Sequence, residues 1–329
     1  MLKFSSYFYI NSWRKLLRVA KSLRHISNSN DRFSSNRLAR KLSFISLGKV
    51  SKLSKGLIPE LTDHEIDLHV RQKLIITINH SLFQSLALAI VNPEQKIAIG
   101  IPSTWRNKLV DEGYKVANFI SSILWICLQI YFFLNSIRKT IKLVYFSWNY
   151  QHIFPKGKYW VLDGIPLSAL HIKPEKNGEG GFFLSKFLLN QMKDMDLGGI
   201  TLGHIPGSNV NYPTSSIIVS SEPFPPLSSR WKTISYGLEC LWIMVRGFIS
   251  WILGDSHAPI VTLEAISSTY VRKIRHDNLP SWYVTTISFV GYRPAWTLLA
   301  EQYGVKMAIV FYTINNQLRI KGQPLDTPY

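Results

Sequence analysis

Asp163 closes the apolar stretch 158–163 directly before Gly164, the position where an α/β enzyme places a general base or a hydroxyl-binding carboxylate. The same Asp-Gly pair also suits an ordinary turn, because Asp bonds its own backbone and Gly tolerates positive φ. His204 opens the loop His204-Ile205-Pro206-Gly207-Ser208-Asn209. An imidazole there would stand beside backbone amides able to meet a phosphate, with Ser208 and Asn209 as substrate contacts; a histidine in a surface turn is the plain alternative. Arg293, in Gly291-Tyr292-Arg293-Pro294, combines position with charge. It precedes a helical stretch whose N-terminus favours phosphate or carboxylate, and Gly291 and Tyr292 complete that binding loop. Gly178, Gly180 and Gly181 lack the Lys-Ser/Thr of a P-loop and read as a flexible loop. Asp194-Met195-Asp196 matches a metal pair in letters only, so no metal is expected. No Gly-x-Ser-x-Gly elbow, His-Glu-x-x-His pair or Cys-x-x-Cys occurs, which leaves serine hydrolase, zinc protease and thiol redox chemistry without support.

These residues need elements to position them. Val284 to Val290 is β-branched and aromatic enough for a buried strand, the Gly291–Pro294 loop breaks it, and Ala295 to Tyr303 has helical spacing. Pro294 suits a first helical position and Gly304 the left-handed residue past a helix end. Trp296, Leu299 and Tyr303 share one face, and Val305 to Ile314 is the returning strand. The segment is a βαβ crossover, and its loop lies at a carboxyl strand end, where open parallel sheets bind ligands. Further strands are expected at 158–163, 200–202 and 216–220, with a helix at 182–192. Upstream, Lys73 to Ile78 and Lys96 to Ile101 read as strands, and Ser81 to Val91 and Ser103 to Glu112 as helices, Ser103 being the N-cap and Gly113 the stop. The pattern predicts an α/β fold with a Rossmann-like parallel sheet flanked by helices over residues 61–329. A basic extension, residues 1–60, precedes it.

Thirteen Lys and Arg against Asp31 and Glu60 give that extension about eleven of the chain's eighteen excess positive charges. Such an arm suits an anionic membrane surface; few aromatics interleave with its cations, so nucleic acid is a weak expectation. Ser12 to Leu23 is amphipathic and able to lie on a membrane. Cys127 and Cys240, each within an apolar run, read as buried thiols of a cytoplasmic protein, and no secretory signal is evident. Val116 to Ile137 is uncharged for twenty-two residues and meets the length criterion for a transmembrane helix. Its amphipathic continuation through Ile141, Val144 and Tyr145 argues for a buried or interfacial helix instead. Ile234 to Leu253, which contains Glu239 and Arg246, reads the same way. A noncatalytic integral membrane protein anchored by 116–137 and 234–253 is the competing class.

Several segments resemble the N-terminal half of bacterial surface-carbohydrate (O-antigen type) biosynthesis proteins, the family named for a PFTS motif. They are Ile101-Pro102-Ser103-Thr104-Trp105-Arg106, Gly113-Tyr114-Lys115-Val116, Ser122-Ile123-Leu124-Trp125, Gly291 to Thr297, Ala300-Glu301 and Val310-Phe311-Tyr312. The PFTS tetrapeptide itself is not in this chain. The resemblance implies a glycosyltransferase-like protein with two facing Rossmann-type (GT-B-like) domains, of which this chain supplies one. It implies transfer of a sugar from a nucleotide donor to a lipid-linked or glycan acceptor, peripheral to the cytoplasmic membrane's inner face. No cofactor beyond the nucleotide sugar is implied, and the partner would be a separate C-terminal half, without which the chain is expected to be inactive. Asp163 or His204 would then be the base and Arg293 an anion holder.

Overall fold

The computed structural model describes residues 41–150, 159–163, 200–204, 212–213, 217–274, 278–285 and 294–309. Two compact units divide them: 41–47 with 74–128, and 48–73 with the residues from 129 onward. The fold is mixed α/β, mostly helical, with a small and largely parallel sheet.

The helices are α1 (Lys52–Lys55), α2 (Asp63–Val91), α3 (Ser103–Asp111), α4 (Asn118–Asn149), α5 (Arg230–Ile252), α6 (Ala258–Lys273) and α7 (Ala295–Gln302). Expected strand 73–78 is instead the middle of α2. Its β-branched run is locally strand-like, but Ile66, Val70, Leu74, Ile78, Leu82 and Leu86 are all buried and recur every four residues. That spacing lines one helical face, and burial of the face outweighs a weak local preference. Expected strand 96–101 is reduced to a single parallel bridge, Ile97 with Val116. Helix α3 starts at Ser103 as expected, yet its N-cap is Pro102 with no side-chain cap, and Gly113 follows at φ +89°. In this first unit Trp105 is fully buried and donates from Nε1 to the Ile45 carbonyl at 3.1 Å. Arg106 of the same motif donates to the Asn118 carbonyl at 2.9 Å, at the start of α4.

The sheet belongs to the second unit. Its strands are β1 (Tyr159–Asp163), β2 (Ile200–His204), β3 (Tyr212–Pro213), β4 (Ile217–Ser220), β5 (Trp282–Thr285) and β6 (Lys306–Ile309), in spatial order β3-β4-β2-β1-β5-β6. Every neighbouring pair is parallel except β3 with β4. Tyr159 through Leu162 are at most 1% exposed, as a central strand covered on both faces must be. The expected β5–α7–β6 crossover is present: the two strands are adjacent and parallel, and Gly304 sits at φ +88° after α7. Trp296 and Leu299 form its buried face, with Trp296 edge-on to Tyr283 at 5.0 Å and to Phe224 at 4.4 Å. Pro294 is the N-cap rather than the first helical residue.

Helix α6 is buried from Ala258 to Val271, and α5 packs along it. The approach is close: a Cβ on Gly247 would lie 1.9 Å from Thr262 Oγ1. Gly247→Ala is therefore expected to lower stability by about 1–3 kcal/mol despite the gain in helix propensity. A thermal melt checks this, and Thr262→Ala in the same chain should restore most of the loss; an unshifted melt for Gly247→Ala would show that the helices part without cost.

Candidate functional site

The carboxyl ends of the parallel strands carry a row of register partners. Asp163 pairs with His204 on one side and Thr285 on the other; His204 pairs with Ser220, and Thr285 with Ile309. The two expected catalytic residues, forty-one positions apart in the sequence, thus stand side by side on neighbouring strands. Taken in chain order, the parallel strands sit 3-2-1-4-5, so the direction of winding reverses at β1, whose last residue is Asp163. Ligands of open α/β sheets collect at that reversal.

Asp163 is 8% exposed and accepts a hydrogen bond on Oδ2 from the Tyr283 hydroxyl of β5. Burial, and secondarily the neighbouring Asp163 carboxylate, hold the Tyr283 phenol well above its ordinary pKa. Tyr283 therefore stays protonated and keeps donating, so it holds and orients the carboxylate. Sequence reading missed Tyr283; its alternation with Trp282 and Val284 in an apolar strand looked like core. Gly291, Tyr292, Arg293, Ser208 and Asn209 lie outside the described residues, as does Asp194-Met195-Asp196. The N-terminus of α7, where Arg293 was expected to help hold an anion, already meets one. The Ala295 amide donates to Glu264 Oε2 at 3.2 Å.

Glu264 belongs to a second constellation that sequence reading did not single out. His257 is 1% exposed, with Nδ1 3.0 Å from Asp255 Oδ1 and Nε2 2.9 Å from Asp67 Oδ1. Arg71 Nε donates to the other oxygen of Asp67 at 3.0 Å, and Ser51 N and Ser250 Oγ each donate to Asp255 Oδ2 at 3.2 Å. Beside them, His69 and Lys73 each lie 3.7 Å from Glu264. Burial disfavours charge on Glu264, yet Lys73 and His69 hold its carboxyl far below the usual range. The signal was there in Asp67/Arg71 and His69/Lys73, both four apart on one helix, and in Asp255-x-His257. The charges of this arrangement pair with one another in the interior, which makes it a framework rather than a reaction site. Among the described residues no group of three or more His, Cys, Asp and Glu has metal-holding geometry.

Burial by itself would push the His257 imidazole down, but hydrogen bonds to Asp255 and Asp67 raise its pKa to about 9. A folded-state pKa above the unfolded one means the native state holds the extra proton. The resulting stability is complete below about pH 6.5 and is lost as pH climbs through about 9. The melting temperature is accordingly expected to fall between pH 6.5 and 9, and a His257→Gln variant should lose most of that slope. An equally steep fall in the variant would remove His257 as its source.

Compared with known protein families, curated proteins and solved structures, the chain has no match in any of the three.

Proposed function

We propose that this chain is a glycosyltransferase-like component of surface polysaccharide assembly, with a Rossmann-like sheet whose carboxyl edge receives a nucleotide sugar and an acceptor hydroxyl. The observation that carries the reading is the register pairing of Asp163 with His204 where the winding of the sheet reverses. That strand order is the one dinucleotide- and nucleotide-binding α/β sheets use, and their ligands sit outside the ends of those strands. For an inverting transfer, a carboxylate or imidazole takes the acceptor hydroxyl proton and the freed oxygen bonds to the sugar's anomeric carbon. The bond to the nucleotide phosphate breaks, and the diphosphate leaves with the electron pair. Asp163, held by Tyr283, is the preferred base, and His204 is its neighbour in the row. Arg293 is assigned to the leaving diphosphate. A partner that holds the sugar nucleotide, such as a separate C-terminal half, fits the same scheme.

A second reading rests on α4, the one helix among those described that is long and apolar enough to cross a membrane. It makes the chain an integral membrane protein without catalysis, which alkaline carbonate would fail to extract.

Purified protein titrated with a panel of nucleotide sugars by saturation-transfer NMR should show donor contacts. Where turnover to an acceptor glycan is detected, Asp163→Asn is expected to lower it by about a hundredfold or more, the scale of a general base. Tyr283→Phe should lower it less. A wild-type chain that takes up none of the donors, with or without the partner half, sinks the reading, as does an Asp163→Asn variant of undiminished turnover.

A further inference from the structure

Helices α4 and α5 are amphipathic in the inverted sense. The buried positions of α5 are Thr233, Tyr236, Cys240, Ile243, Gly247 and Ser250, mostly small or polar. Of its exposed residues between Trp231 and Leu253, all but Ser235 are large and apolar. From residue 129 onward α4 shares the pattern in part: Gln129, Ser136, Thr140 and Ser147 are buried along with Phe132, Leu143 and Phe146, whereas Ile130, Tyr131, Leu134, Ile137, Ile141, Tyr145 and Trp148 are exposed. Water would select the opposite pattern, since burying large apolar side chains is what folding gains most from. Small residues at helix contacts with large apolar ones outward is the arrangement that lipid selects.

The two helices run antiparallel side by side. Trp251 Nε1 donates to Gln129 Oε1 at 2.8 Å, Phe133 lies 5.9 Å from Phe248, and Arg230 sits 5.1 Å over the Trp148 ring. Their outward residues thus form one face about 30 Å long, at 1.5 Å per helical residue. An open apolar hollow of about 410 Å³, lined by Ile141, Val144, Tyr145 and Trp148, lies at one end of it.

Charge decides the occupant. Helix α4 has no acidic residue, and the single one in α5, Glu239, turns inward to Lys273 at 2.9 Å and Arg272 at 3.6 Å. Arg246 also turns inward, with its guanidinium against Gly56. The exposed charges on the pair, Arg138, Lys142 and Arg230, are all positive, and of these Lys142 is already paired with Glu222 at 2.6 Å. A second copy would set these like charges toward its own; anionic lipid headgroups complement them. Spanning is disfavoured by what lies under the face. The inner side of α5 touches the Asp255–His257–Asp67 network through Ser250, so one side meets lipid and the other a charged interior.

We infer that the outward face of α4 and α5 beds in the plane of an anionic bilayer, presenting the protein to an acceptor carried on a lipid. This deepens the membrane-face part of the sugar-transfer reading and rests on it for what the docked protein does.

The test uses the full chain with vesicles of phosphatidylglycerol and phosphatidylethanolamine, against phosphatidylcholine alone, scored by co-sedimentation. Leu134 and Trp242 are each 60% exposed, so Leu134→Glu with Trp242→Glu leaves the fold intact, which an unchanged melt confirms. The double variant should bind anionic vesicles at least about tenfold more weakly than the parent, and carbonate should release the bound parent. Equal binding by parent and variant would assign attachment to the basic residues 1–60 and overturn the inference. So would carbonate-resistant protein, which means a span, or a solution dimer that the double variant dissociates without any vesicle binding by the parent. No sugar donor is present in this assay, so its failure leaves the donor-binding result standing, and the reverse holds equally.

Discussion

A buried imidazolium between two carboxylates is the constraint on which the second unit depends. Its partners come from separated pieces of chain: Asp67 from α2, Asp255 from the turn after α5, with Arg71 donating to Asp67 and Ser51 and Ser250 to Asp255. A charge taken out of water is tolerable only when partnered, and removing one member of such a set typically costs about 3–5 kcal/mol. That penalty discriminates among packings in a way apolar contacts do not, because an oily surface accepts many neighbours and an unpaired charge accepts none. His257 is also the N-cap of α6, so fixing the imidazole fixes where the most buried of the described helices begins.

From α6 the constraint reaches the sheet edge. Glu264 accepts from the first amide of α7, and α7 bridges β5 and β6, while Tyr283 of β5 holds Asp163 of β1. A chain of contacts, polar from Glu264 to α7, aromatic from Trp296 to Tyr283 and polar again to Asp163, thus connects α6 to the row of residues at the carboxyl ends of the strands. The same polar interior explains the inverted helices. Once the inward side of α5 must supply Ser250 to a carboxylate and Gly247 to a tight contact with Thr262, its large apolar residues have only the outside left.

Much of the architecture was legible where turn chemistry and periodicity agreed. Residues 282–315 announced a strand, a break, a short helix stopped by Gly304 and a parallel return; the strand, the helix, its stop and the return are present over 282–285 and 295–309, and residues 291–293 of the break lie outside the described residues. The reading failed at 73–78, where Ile75, Ile76 and Ile78 favoured a strand while the four-residue recurrence from Ile66 to Leu86 specified a helix. Cys127, expected to be buried because its neighbours are apolar, is exposed, since apolar residues of α4 face outward. Helices 116–137 and 234–253 were foreseen as apolar, but not the side on which the apolar residues would lie.

Residue order alone settled what short-range forces settle: where glycine and proline end an element, and that Asp163 closes a strand; His204, read as the opening of a loop after a strand at 200–202, is instead the last residue of β2. Residue order was silent on adjacency. That those two residues are neighbours follows from strand order, and strand order is a property of how distant segments share one core. The buried charge set, the Tyr283 hydrogen bond and the outward apolar face have the same origin. Each is a pairing between groups far apart in the chain, whose energy exists only once desolvation has brought them together.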